Sequence, residues 1–143
     1  MRTKTWSESR GSAEYSVMSR SAYLDALDQR VLVFDGAMGT QLMELELDDE
    51  AFGGAAYHGC NEALVLTQPA LIRGIHEAYF AAGADVVETD TFTASRLKLD
   101  EYGLGHRVAD VNRDGARLAR EAADTYSTPV RSDALEDYLR RTR

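Results

Sequence analysis

The sequence predicts an α/β fold built from two βα units with parallel strands, and three observations predict it. The run Val31-Leu32-Val33-Phe34 is apolar throughout and stops at Asp35-Gly36, as a strand buried on both faces would. A second short apolar strand, about residues 85–89, runs directly into acidic and hydroxyl side chains at Glu88-Thr89-Asp90-Thr91. Between them lies a helix. Thr67 offers a capping hydroxyl, Pro69 falls in the first turn, and Leu71, Ile72, Ile75, Tyr79 and Ala82 repeat every 3.6 residues. Gly83 sits where a C′ glycine belongs. A helix of this kind is the crossover that two parallel strands require.

In an open α/β sheet, as in a closed barrel, ligands bind at the C-terminal ends of the strands. Both strands end in ligand-competent side chains, so Asp35 and the Glu88–Thr91 segment are expected to face one pocket. Asp35-Gly36 alone would be an ordinary turn pair; the second segment makes it a candidate site. Gly36 and Gly39 let the backbone turn sharply or pass close to a ligand.

The remaining elements follow in order. Residues 1–20 are polar and aperiodic and read as a disordered extension. Met18 immediately precedes the first periodic segment and is expected to be the native start. Ser21 caps a short helix through about Gln29, with Tyr23, Leu24 and Leu27 on one face. In a barrel this helix could plug the bottom of the strands. After Thr40, Gln41–Leu45 reads as one or two helical turns, and the acidic patch Glu46–Glu50 as a solvated loop. Gly53-Gly54 and His58-Gly59 punctuate a long loop, of a length that is often functional. Asn61–Leu66 fits a strand or a short helix, with helix favoured. Ser95–Tyr102 leaves room for a short helix. A longer one runs from about Gly105 to Thr125, with Val108, Val111, Gly115, Leu118 and Ala122 on one face. Gly115 costs about 1 kcal/mol in helix propensity and suggests close packing there. After Asp124 a third strand is due, but residues 127–143 read instead as a divergent charged tail.

The totals exclude several classes. A chain of 143 residues suits one domain, and 44% hydrophobic residues fit a globular protein. Net charge is −8 without a basic cluster, so nucleic acid is not an expected partner. No apolar run approaches the roughly 20 residues that span a bilayer, and no secretory signal is visible, so no membrane partner and a cytoplasmic location are expected. Cys60 is the single cysteine. His58 and Cys60 are too close in sequence to make a metal site unaided, His76 reads as a packed or surface histidine, and no metal ligand is assigned.

Asp35-Gly36-Ala37-Met38-Gly39-Thr40, Gly59-Cys60-Asn61-Glu62, Thr67-Gln68-Pro69, Ile75–Asp85 and Glu88-Thr89-Asp90-Thr91-Phe92 occur in that order. Together they resemble the homocysteine S-methyltransferase family, most closely the N-terminal homocysteine-binding module of its cobalamin-dependent members, over about Arg30 to Asp124. The resemblance implies a partial (β/α)₈ TIM barrel, its first two βα units only, over residues 21–126. It implies methyl transfer to the homocysteine thiol to make methionine, and substrate contacts at Asp35, Gly36, Glu88, Thr89 and Asp90. Where the family usually reads Glu-Thr-Asn-Thr-Phe, Asp90 replaces the Asn and is expected to add negative charge. The family's zinc is held by three cysteines on late strands; Cys60 matches none of them. Cobalamin, methyltetrahydrofolate and adenosylmethionine bind through other modules. A complete barrel needs about 250 residues. The chain alone is therefore expected to be inactive, with no catalytic residue assigned, and to self-associate or pair with a complementing barrel fragment. The alternative is a non-enzymatic truncated product or oligomerising α/β module with at most weak amino-acid binding.

Overall fold

The computed structural model describes residues 22–127. The Ser21 cap, the 1–20 extension and the tail after residue 127 lie outside the described residues. The chain divides after Val31 into two compact units. Of the first, the described part is α1 (Ala22–Leu27) and the turn that follows it.

The second unit is mostly helical. Its helices are α2 (Met38–Glu44), α3 (Asp49–Phe52), α4 (Leu64–Thr67), α5 (Pro69–Ala82), α6 (Arg96–Asp100) and α7 (Val108–Tyr126), with 3₁₀ turns at Ala55–Tyr57, Asn61–Ala63 and Gly105–Arg107. The long helices stand where their periodicity puts them. Gly83 ends α5 at φ 112°, a left-handed conformation, and its N–H reaches the Tyr79 and Phe80 carbonyls. The start of α5 differs from expectation. Thr67 belongs to α4 and sends its hydroxyl back to the Ala63 carbonyl (3.2 Å), so Gln68 stands at the N-cap and makes no side-chain cap bond. The acidic patch also does more than face solvent, because Asp48 caps α3 by accepting the Ala51 N–H (2.9 Å).

α5 packs along α7. Leu42, Phe52, Leu64, Val65, Ile72, Ile75 and Leu118 form one core cluster; Cys60, Ala63, Ala94, Leu99, Leu104 and Val111 form a second. Each large apolar side chain buried there contributes roughly 1.5–3 kcal/mol. His76 of α5 is fully buried, and neither ring nitrogen has a hydrogen-bond partner among the described residues. Burial lowers its pKa. Gly115 on α7 is the tight contact its position suggests: a β-carbon there would come within 2.5 Å of Thr91 Cγ2. The exposed side of α7 carries ion pairs such as Arg117–Glu121 (2.7 Å), which contribute little in water.

The two expected strands reduce to one parallel bridge, Phe34 with Val86. The Asp85 and Val86 N–H groups donate to the Val33 carbonyl (2.7 and 3.2 Å), and the Asp35 N–H donates to the Val86 carbonyl (2.9 Å). On either side of the bridge, carboxylates replace the ladder. Asp85 Oδ2 accepts the Val33 N–H and Asp35 Oδ2 accepts the Glu88 N–H, both at 3.0 Å. Nor are the strand side chains buried on both faces: Val33 is 54% and Phe34 45% exposed. The reason is physical. A parallel strand inside a sheet is satisfied by neighbours on two edges and layers on two faces, and among the described residues these segments pair in a single bridge.

Candidate functional site

The bridge sets Asp35 and Glu88 side by side, and the chain opens around them into a cavity of about 450 Å³. Three segments line it. The first runs from Asp35 through Gly39, where the chain leaves the bridge and enters α2. The second is the turn before α4, contributing Gly59, Asn61 and Glu62. The third is the irregular backbone after Val86, contributing Glu88, Thr89, Asp90, Phe92 and Thr93. All five residues expected at the site, Asp35, Gly36, Glu88, Thr89 and Asp90, are therefore on one cavity wall or another.

Their local supports differ. Asp35 is half-buried, and one of its oxygens is engaged by the Glu88 N–H. Burial raises its pKa, the hydrogen bond from Glu88 works against that, and the Glu88 charge adds to it. Gly36 lies under Tyr79, whose hydroxyl donates to the Ala37 carbonyl (3.3 Å). A β-carbon on Gly36 would stand 3.0 Å from that same hydroxyl oxygen, so glycine lets α5 approach the loop. The Thr89 and Thr91 hydroxyls hydrogen-bond to each other (2.6 Å) and tie the third segment into a tight turn around Asp90.

Asp90 and Glu62 are the buried pair of the site, each 7% exposed. Glu62 Oε1 accepts both the Thr93 N–H (2.9 Å) and the Thr93 hydroxyl, and Oε2 lies 4.0 Å from the Cys60 sulfur. Asp90 has no such support: its Oδ2 is buried and unpartnered among the described residues. Burial, and then the nearby Glu62 charge, push the Asp90 pKa up to about 7. The negative charge that Asp90 was expected to add is therefore held back near neutrality by burial and by Glu62. Burial also raises the Cys60 thiol, with Glu62 and Asp90 acting in the same direction.

Glu62 is the residue that sequence reasoning missed. It stood inside Gly59-Cys60-Asn61-Glu62, a block already singled out, but the block carries no strand end to mark it as a site. Four carboxylates thus line the cavity, and among the described residues no lysine, arginine or histidine does. Such a pocket suits a ligand that brings a cation. The donors are not those of the family's zinc site. Among the described residues no group of three His, Cys, Asp or Glu side chains is placed to hold a metal, and the one cysteine is buried.

The model of one protein family, Homocysteine S-methyltransferase, matches residues 32–135, which include every residue that lines the cavity. The chain belongs to this family. Two curated relatives of the chain are the methionine synthases of Mycobacterium tuberculosis (strain ATCC 25618 / H37Rv) and Mycobacterium leprae (strain TN). They are 45% identical to it over 108 and 106 residues, which is 76% and 74% of this chain. The chain spans 9% of the length of each of these relatives. No helix among the described residues is long and apolar enough to cross a membrane.

Proposed function

We propose that this chain supplies the first two βα units of a homocysteine-binding barrel, in residues 21–126, and that the barrel serves methyl transfer to the homocysteine thiol to make methionine. One observation carries the reading: the parallel bridge brings Asp35-Gly36 and Glu88-Thr89-Asp90 to a single cavity. In this role the chain binds and orients. Asp35, Glu88 and Asp90 offer oxygen acceptors to the ammonium end of the amino acid, Gly36 gives backbone access, and Thr89 limits the pocket wall.

The thiol would be activated by zinc in a complete barrel, but the described donor set does not fit zinc. The isolated chain is accordingly inactive in methyl transfer. The exposed Val33 and Phe34 favour its pairing with a second chain or a complementing barrel fragment over life as a lone monomer. The setting that fits these roles is the cytoplasm.

The test is calorimetric binding of L-homocysteine to the 143-residue chain and to Asp35→Asn. The substitution should weaken binding by about 1–3 kcal/mol, the scale of a charge-assisted hydrogen bond. Unchanged affinity would remove Asp35 from the site. Steady methyl transfer by the chain alone would refute the fragment reading.

A further inference from the structure

The residue left over by the pocket's own bonding is Asp90. Every other carboxylate there is either exposed or held. Glu88 is exposed, Asp35 takes the Glu88 N–H, and Glu62 takes two donors from Thr93. Asp90 is as buried as Glu62, lines the same cavity, and has one oxygen without a partner. A buried unpartnered carboxylate oxygen costs free energy until a donor arrives. Among the described residues no donor of the right charge lines the cavity.

We propose that Asp90 is the group that receives the ammonium of the bound amino acid, and that it releases its own proton when it does so. This rests on the homocysteine-binding reading but goes beyond it. It assigns this chain's departure from the family's asparagine a distinct consequence, binding that depends on pH. The empty pocket keeps the proton because burial, and then the charge of nearby Glu62, disfavour the ionised carboxyl. An ammonium group placed between Asp90 and Glu62 removes that repulsion and donates to the free oxygen. The proton leaves to solvent, and the ligand's positive charge takes its place, so charge balances. The titratable groups around Asp90 are Glu62 and Cys60 on the turn before α4, and Asp35 and Glu88 around the cavity. None of them brings a positive charge. An asparagine at position 90 could offer an oxygen acceptor but has no proton to exchange.

The sign follows from the Asp90 value of about 7: the carboxyl is about one-tenth ionised at pH 6 and about nine-tenths at pH 8. Affinity for an ammonium ligand should therefore rise about tenfold between those values.

The experiment is calorimetry on the whole chain with two probes, L-homocysteine and ethylammonium, at pH 6, 7 and 8 in two buffers of different ionisation enthalpy. Expected are the tenfold rise and release of nearly one proton at pH 6. Both should vanish in Asp90→Asn, while Asp35→Asn lowers affinity and keeps the slope. Glu62→Gln should move the midpoint of the rise to lower pH. This second variant keeps an acceptor for Thr93, so the proposal can still be judged if Asp90→Asn misfolds. Homocysteine binding with the same pH slope in the natural chain and Asp90→Asn overturns the proposal and leaves the homocysteine reading standing. Ethylammonium binding that depends on Asp90, without homocysteine binding at any pH, overturns the homocysteine reading and leaves the ammonium site. Binding of neither probe overturns both.

Discussion

The α5–α7 layer and the extended segments joined at Phe34 and Val86 draw on similar apolar residues, yet they are held together differently. In the helical layer the interior backbone groups are satisfied within their own helix, and Ile72, Val111 and Ala122 are wholly buried. The extended segments cannot satisfy themselves. Among the described residues one bridge joins them, two aspartates take over the neighbouring hydrogen bonds, and Val33 and Phe34 are about half exposed. A helix satisfies its own interior backbone; a parallel sheet cannot, because its bonds belong to neighbours. The candidate site lies along the extended segments.

The largest effect should come from breaking the helical layer. Ile72→Ala removes a side chain with no exposed surface and should cost about 2–5 kcal/mol, read from urea midpoints. Phe34→Ala, at a residue already 45% exposed, should cost less than half as much. Equal losses would mean that the extended segments are packed as well as the helices.

The next effect should have the opposite sign. Asp90 has a folded value of about 7 against 3.8 for a free carboxyl, so the folded state holds its proton more tightly than the unfolded one. The stability this contributes is complete below about pH 4 and lost as pH rises through 7. Asp90→Asn removes the buried charge and should stabilise the chain at pH 8 by about 2–4 kcal/mol, with little change near pH 4. His76 works the other way. Burial lowers its value, so acidification below about 6.5 favours the unfolded chain. The difference between the natural chain and the variant isolates Asp90. Thermal melts at pH 4.5 and 8 that show the same difference would sink the assignment.

The smallest effect concerns the carboxylates that replace the ladder. Asp35→Ala deletes the acceptor of the Glu88 N–H and should cost about 1 kcal/mol, with faster hydrogen exchange at the Glu88 amide. Unaltered exchange there would show that the bond does not hold the segment.

Local periodicity explains what was legible. The 3.6-residue spacing of Leu71, Ile72, Ile75 and Tyr79, and the glycine at 83, needed only the chain's own neighbours to be read, and α5 lies where they place it. The convergence of Asp35 and Glu88–Asp90 was legible for a similar reason: both follow apolar runs, and strand ends gather at one edge. The extent of the strands was not, because Val31–Phe34 carries a pattern suited to surroundings that the described residues do not provide. Thr67 was misplaced by competing local signals, since a hydroxyl before Gln-Pro can cap forward or bond backward to Ala63. The burial of Asp90 and its approach to Glu62 across 28 positions of sequence, which together raise its pKa, leave no local pattern to read.

Gly115 carries a consequence for anyone who sets out to engineer this chain. A screen for thermostability would nominate it early, because alanine in the middle of a helix improves propensity by about 1 kcal/mol. The added methyl would be driven into Thr91, whose own hydroxyl is committed to Thr89 one residue before Asp90. Thr91 could yield only by giving up that commitment. A replacement chosen to improve the scaffold would then strain the turn beside the cavity and give back in packing what it gained in propensity.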